Sequence, residues 1–281
     1  MAFGRPCKSL GAALGLLSLH GVFMTPPAIP AIAFIPARFA SVRFPGKPLA
    51  PILGKPMVQH VVERCQASGV FQEVYVVTDD ERIAQAARQC GAKALMTSEH
   101  CLTGSDRIAQ ALQQIACPAQ ALLVNVQGDE PALPPGALRQ LVEAFEPGFD
   151  MATLVRPLKA EEALSPHVVK VAISLQGRAL YFSRALIPFA RSEAVPAPPR
   201  WAHMGLYAYR PEALLRMAGH PPTPLEQSEA LEQLRALEMG LSLQCIPCAY
   251  SSVAVDIPED VPLAEAALRK AFNENAHTQR G

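Results

Sequence analysis

Several features are missing from this 281-residue chain, and each absence closes off a class of function. Net charge is the first, since 25 lysines and arginines balance 25 aspartates and glutamates. Nucleic-acid binders carry a clear basic excess to neutralise phosphates, so that class is set aside; a local basic cluster for a small charged substrate remains open. A membrane-spanning run is the second, because the apolar stretch from Leu10 to Met24 is too short and too interrupted by glycine, serine and His20 to cross a bilayer. The third is a cysteine framework. Seven scattered cysteines, Cys7, Cys65, Cys90, Cys101, Cys117, Cys245 and Cys248, read as reduced cytosolic thiols rather than as disulfide partners. Cys245-Ile-Pro-Cys248 has neither a second cysteine pair nor nearby histidines, which a zinc site would want, so the pair reads as structural. No P-loop order and no internal repeat is found.

What is present is a chain half apolar and long enough for one large α/β domain or two small ones. Residues 1–30 stand apart. Arg5 and Lys8 precede the apolar stretch, which ends in Thr25-Pro-Pro-Ala-Ile-Pro30, a layout that superficially resembles a secretory signal. The competing readings are a disordered extension and a start set too early; the second is favoured, with Met24 as the true beginning, because a strand-like segment opens at Ala31.

From there short apolar runs alternate with amphipathic stretches, the pattern of βα units on a mostly parallel sheet. Strands are expected at 31–35, 73–78, 93–96 and 121–126, the last so apolar that it should be central. Helices are expected after Met57, ending at Gly69, after a capping box at Thr78-Asp-Asp-Glu81, and after Thr103-Gly-Ser-Asp106. The middle of the chain reads as antiparallel additions at 151–155, 168–175, 179–183 and 205–209, with a proline-rich link at 195–199. A helix over 225–239, a strand over 241–246 and a closing helix over 259–272 complete the pattern.

Three segments could carry chemistry. Ile35-Pro-Ala-Arg-Phe-Ala-Ser-Val-Arg-Phe-Pro-Gly-Lys-Pro-Leu49 packs Arg38, Arg43 and Lys47 into one bent loop after the first strand. A triphosphate needs such opposing cations and close backbone approach; a solvated basic loop is the plainer alternative. Gln127-Gly-Asp129-Glu130-Pro131 follows the central strand, where a carboxylate can hold Mg²⁺. Val255-Asp256-Ile-Pro-Glu-Asp260 puts Asp256 at another strand end, or makes it a helix cap before Pro258. Ligands of open α/β sheets sit beyond the carboxyl ends of strands, where Arg38, Thr78 and Asp129 fall.

In this order, and with Val169-Lys-Val171, Tyr181-Phe-Ser-Arg184, His203-Met-Gly-Leu-Tyr-Ala-Tyr-Arg210, Pro224-Leu-Glu226 and Leu231-Glu-Gln-Leu-Arg235, these segments resemble the 3-deoxy-manno-octulosonate (KDO) cytidylyltransferases, from about Ala31 to Leu268. The resemblance implies a Rossmann-like nucleotidyltransferase fold of class α/β, with a mostly parallel central sheet and an antiparallel dimerisation extension. Residues 31–275 would form a single nucleotidyltransferase domain, with a dimerisation subdomain in about 156–210 and a tail at 276–281. It further implies that Arg38, Arg43 and Lys47 bind the CTP phosphates and that Thr103, Gly104, Ser105 and Arg107 lie near the cytosine. Gln127 would sit beside the cytidine or the sugar acid, and Asp129 and Asp256 would hold Mg²⁺. Arg184, His203, Tyr207, Glu232 and Gln233 would line the KDO pocket; packing is the plainer reading for His203 and Tyr207, and surface ion pairs for Arg184 and Glu232. Cys101 and Leu102 replace a usual histidine and glutamine, and His167 a usual asparagine.

The implied reaction is CMP transfer from CTP to KDO with release of pyrophosphate, for lipopolysaccharide synthesis, by a cytoplasmic homodimer; Arg38, Lys47, Asp129 and Asp256 would carry the catalysis. The alternatives are a cytidylyltransferase for another acid sugar (8-amino-KDO or sialic acid) and a non-catalytic nucleotide-sugar sensor on the same fold.

Overall fold

The computed structural model describes residues 29–41, 43–191 and 198–278. The expected N-terminal extension therefore lies outside the described residues except for Ile29 and Pro30, as do part of the proline-rich link and the last three residues of the tail. In chain order the strands are β1 (Ala31–Ala37), β2 (Pro51–Ile52), β3 (Lys55–Pro56), β4 (Phe71–Thr78), β5 (Lys93–Met96), β6 (Leu122–Asn125), β7 (Met151–Pro157), β8 (Lys170–Ile173), β9 (Ala179–Ser183), β10 (Trp201–Tyr209) and β11 (Leu243–Pro247). The helices are α1 (Met57–Ser68), α2 (Glu81–Gln89), α3 (Gly104–Leu112), α4 (Pro135–Glu143), α5 (Pro211–Ala218), α6 (Pro224–Glu229), α7 (Gln233–Glu238) and α8 (Val261–Thr278).

The main sheet runs β11-β7-β10-β6-β1-β4-β5, and β8 and β9 branch off β10. β6, β1, β4 and β5 are parallel neighbours, whereas β10 is antiparallel to both β6 and β7. The apolar 121–126 run is central, as its composition predicts. Alternate residues of one strand feed opposite cores: Ala33 and Ile35 join the layer under α1, α2 and α4, and Ile32 and Phe34 join the layer with α3, α5 and α7. Covering on both faces is why β1 reads as continuous apolar sequence. A third, smaller core packs Ile52 and Met57 against Ala264 and Leu268 of α8.

Three local expectations are corrected. The helix expected over 225–239 is two short helices, broken where Ala230 takes a left-handed backbone with φ 51°. The capping residue before α2 is Asp80, which accepts from the Arg82 amide, while Thr78 completes β4. The segment 251–256 is not a strand, so Asp256 does not sit at a strand end. The helices α4 and α5 lie outside the sequence expectations, although a proline at the first turn of each marks its start. Cys245 and Cys248 are buried, the Cys248 Sγ lies 3.3 Å from Met204 Sδ, and burial pushes the Cys245 thiol up to about 12.

Candidate active site

The loop after β1 is folded by its own backbone. The amides of Ser41 and Gly46 both donate to the Phe39 carbonyl at 3.0 Å. Gly46 has φ 70°, and a Cβ there would stand 3.1 Å from the Phe39 ring, so both conformation and space call for glycine. The Arg82 guanidinium covers the Phe39 ring at 3.7 Å and holds the loop down. This turn delivers Lys47, the first residue of a 3-10 turn, inward, while Arg38 and Arg43 stay exposed.

The opposite wall follows β6. Gly128 presses against the β1 end, and a Cβ there would lie 2.7 Å from the Pro36 carbonyl oxygen. Asp129 comes next, and its carbonyl accepts the Val255 amide at 2.8 Å, which tethers the Asp256 segment. Asp260 does the capping, since its carboxylate accepts the amides of Asp256 and Ile257 at 2.8 and 3.1 Å. The Asp256 side chain is thereby left for the cleft, where Oδ1 meets Arg43 at 3.1 Å and Lys47 Nζ at 3.6 Å. Lys47 Nζ also donates to Asp129 Oδ2 at 2.8 Å. One ammonium therefore bridges two carboxylates that lie 127 positions apart in sequence. These groups, with Arg38, Thr103, Gly104 and Gln127, line a cleft of about 330 Å³.

The two aspartates fit a magnesium ion. They are hard oxygen donors that both meet one ammonium, Lys47 Nζ, at 2.8 and 3.6 Å, and one or two carboxylates are what Mg²⁺ takes when phosphates supply further ligands. Among the described residues no group of three or more acidic, histidine or cysteine side chains could form a metal cage.

The third wall is the start of α3. The helix start read at Thr103-Gly-Ser-Asp106 is closed by a capping box, the Thr103 hydroxyl accepting the Asp106 amide while the Asp106 carboxylate accepts the Thr103 amide. Gly104 lies against Pro36, where a Cβ would meet Cγ at 3.2 Å. Ser105 is buried beside Glu232 and Tyr209. Arg107 lines the cleft, but its guanidinium is already engaged, donating to Thr97 Oγ1 at 2.6 Å and Asp79 Oδ2 at 3.0 Å. It braces the wall. Its partner Asp79, which also accepts the Phe39 amide, has no signal in the sequence that marks it.

The five residues assigned to the sugar acid do not line this cleft; Glu232 meets its wall at Thr103, and His203 and Tyr207 lie on the strand that Gln127 contacts. Glu232 receives the Thr103 hydroxyl at 3.3 Å, and burial pushes its carboxyl above the ordinary range. Gln127 Nε2 donates to the Gly205 carbonyl at 3.0 Å, which joins the cleft to β10 and so to His203 and Tyr207. The rings of His203 and Tyr207 stand 5.2 Å apart, and Phe182 meets His203 edge-on at 5.1 Å. Gln233 is buried in the first turn of α7. Arg184 spends three donors on carbonyls: Nε on Glu229, Nη1 on Pro166 and Nη2 on Ala230. It pins the α6–α7 turn and is no surface ion pair. Lys170, fully buried, does similar work with the carbonyls of Ser165 and Arg184, both at 2.7 Å.

Two consequences are measurable. Gly128→Ala forces the Pro36 backbone away from the β6 loop. Overpacking of this kind costs about 1–3 kcal/mol, so a fall of several degrees in melting temperature is expected together with weaker CTP binding; unchanged binding and stability would refute the close approach. Burial pulls the His203 imidazole down to about 3 from an ordinary 6.5. The unfolded chain then binds the extra proton across that window, so this group's contribution is complete above pH 6.5 and is lost progressively as pH falls towards 3. A His203→Asn variant should lose less melting temperature than the parent between pH 7 and pH 5, as differential scanning calorimetry would read.

Comparison with known proteins gives one consistent result. A family model described as cytidylyltransferase matches residues 32–243. A 3-deoxy-manno-octulosonate cytidylyltransferase of Myxococcus xanthus (strain DK1622) is 52% identical over 239 residues, covering 85% of this chain and 96% of the relative. Another with the same description, from Nitratidesulfovibrio vulgaris (strain Hildenborough), is 49% identical, covering 84% and 95%. An 8-amino-3,8-dideoxy-manno-octulosonate cytidylyltransferase of Shewanella halifaxensis (strain HAW-EB4) is 45% identical, covering 83% and 96%. A solved structure of CMP:2-keto-3-deoxy-manno-octonic acid synthetase complexed with CTP superposes with a TM-score of 0.80 at 37% identity, covering 86% of this chain and 99% of that one.

Proposed function

The chain belongs to the cytidylyltransferase family, in its 3-deoxy-manno-octulosonate branch, and from that premise we propose how its cleft works. The reaction is CTP plus KDO giving CMP-KDO and pyrophosphate. The observation that carries the mechanism is Lys47 held between Asp129 and Asp256 at the mouth of the basic loop.

The anomeric hydroxyl of KDO gives up its proton to solvent as its oxygen forms a bond to the α-phosphorus, the α–β anhydride bond breaks in line, and pyrophosphate leaves with its electron pair. Arg38, Arg43 and Lys47 oppose the triphosphate charge, Lys47 on the side of the leaving group. Arg43 and Lys47 are paired with carboxylates beforehand, so both cations are aimed before the phosphates enter, and Lys47 is also largely withdrawn from water, as electrostatic preorganisation requires. Asp129 and Asp256 would hold Mg²⁺, which when bound supplies Lewis-acid polarisation of the phosphate oxygens. The Thr103–Asp106 box fixes the start of α3 at the base side, and Gln127, anchored on Gly205, faces the boundary between nucleotide and sugar acid. His203, Tyr207, Glu232 and Gln233 form the sugar-acid side, with Arg184 holding the turn that carries the last two. Positioning and charge stabilisation supply most of such a reaction's acceleration.

Exposed Leu164, Leu175, Leu180 and Phe189 cluster in sequence on the β8–β9 excursion and support a homodimer through it. Dependence on CTP supports a cytoplasmic site of action, with the product feeding lipopolysaccharide assembly. Phosphorus NMR tests the reaction: CTP signals should convert to a phosphodiester and pyrophosphate in equal amounts, only with KDO, and stop on chelation of divalent ions. Conversion without KDO, or undisturbed by the chelator, would contradict the proposal.

A further inference from the structure

The pairing of β10 with β7 is irregular where the sugar-acid residues sit. His203 lies opposite Val155 and Tyr207 opposite Thr153, so β10 spends two more residues than its partner across this interval. The bulge holds Met204, Gly205 and Leu206, and it turns the Gly205 carbonyl to Gln127. Inside it lies a single fully buried hydroxyl, that of Thr153. Its Oγ1 stands 2.9 Å from the Met204 carbonyl oxygen, 2.8 Å from the Leu206 carbonyl oxygen and 3.0 Å from His203 Nε2.

Proton counting decides how these contacts are shared. A hydroxyl has one proton and two lone pairs, and a carbonyl oxygen can only accept. If the Thr153 proton went to His203, two carbonyl oxygens would face a third oxygen below 3 Å with no hydrogen between them. The proton therefore belongs to one of the carbonyls, and towards the ring Oγ1 can only accept. The ring nitrogen facing it must then carry hydrogen. We infer that Thr153 is a positioning residue that holds His203 in its Nε2–H tautomer, leaving Nδ1 as a hydrogen-bond acceptor for a hydroxyl of the acid sugar. Burial, which keeps the imidazole neutral, is consistent with one proton and one lone pair on the ring. The inference rests on placing His203 in the sugar-acid pocket.

The test has a part that needs no turnover. With nitrogen-labelled histidine, and the His203 signals identified by their loss in His203→Gln, NMR of the parent protein between pH 6 and 8 should show one tautomer protonated at Nε2. Protonation at Nδ1, or a mixture, would overturn the inference. Thr153→Val keeps the shape and removes the hydroxyl, and it should mix the tautomers. It should also raise KM for KDO roughly tenfold, the scale of one lost well-aligned hydrogen bond, while KM for CTP stays within about twofold. Thr153→Ser should restore both readings. A Val variant that raises both KM values alike, or a Ser variant that rescues neither, would make the residue merely structural and overturn the inference. If the Val variant does not fold, the tautomer of the parent protein still decides. Failure of the parent protein to use KDO would defeat the functional reading while leaving the tautomer result standing on its own.

Discussion

Replacing Asp129 by alanine lowers the rate of pyrophosphate release from CTP and KDO by on the order of a hundredfold or more, the usual loss for a preorganised electrostatic group. The carboxylate sits just beyond the central strand with its side chain only partly exposed, so little core packing goes with it. What goes is one of the two acidic groups that meet at Lys47. The ammonium is then left with Asp256 alone at 3.6 Å, and a divalent ion at the proposed site would lose one of its two protein ligands. Asp129→Asn should fall almost as far, since an amide keeps the shape and loses the charge. Both variants should melt within a few degrees of the parent. Retention of more than about a tenth of the activity in either would remove Asp129 from the chemistry.

The second large effect falls on stability, with the site following. Glu226 and Arg235 form a bidentate pair, Nε to Oε2 at 2.7 Å and Nη2 to Oε1 at 2.5 Å, both almost wholly buried. Arg235 Nη1 reaches the carbonyls of Met217 and His220, and Glu226 also accepts the Thr223 amide. Glu226→Ala strands a buried guanidinium, which costs about 3–5 kcal/mol and should lower the melting temperature by roughly 10 °C. The pair clamps α6 to α7, the hairpin that carries Glu229, Ala230, Glu232 and Gln233. Affinity for KDO should therefore weaken more than affinity for CTP. A drop of only a degree or two would show that the pair is dispensable.

This pair explains part of what is legible. Pro224-Leu-Glu226 and Leu231-Glu-Gln-Leu-Arg235 are visible as motifs, but a motif does not say whether its charges meet substrate or each other, and here the outer two meet each other. Arg107 and Arg184 make the same point, because their guanidiniums are engaged by groups 28 and up to 46 positions away, distances along which a single sequence carries no signal. The strands β1 and β6 are readable because their burial on both faces leaves near-continuous apolar runs, and β4 because its buried half, 75–77, does the same. The start of β10 escapes the pattern for a different reason: burial alternates without a break from 201 to 208, but His203 and Gly205 interrupt the apolar run, and only 205–209 reads as strand. The break at Ala230 is hidden because an alanine, a strong helix former, occupies a left-handed position where a glycine would announce the turn. Asp256 reads as a strand end from its apolar approach, yet one backbone hydrogen bond to Asp129 holds that segment in place. The convergence of the two aspartates on Lys47 is therefore a property of the fold, although each residue is marked by its motif.

The central claim is that this cleft passes CMP from CTP to KDO, and an acceptor comparison tests it most directly. Pyrophosphate release from CTP is measured with KDO, with 8-amino-3,8-dideoxy-manno-octulosonate and with sialic acid, each with and without Mg²⁺. The account predicts magnesium-dependent release with the highest kcat/KM for KDO. Release that favours the amino sugar or sialic acid by tenfold or more would move the substrate assignment, and silence with all three acceptors, despite CTP binding, would contradict catalysis itself.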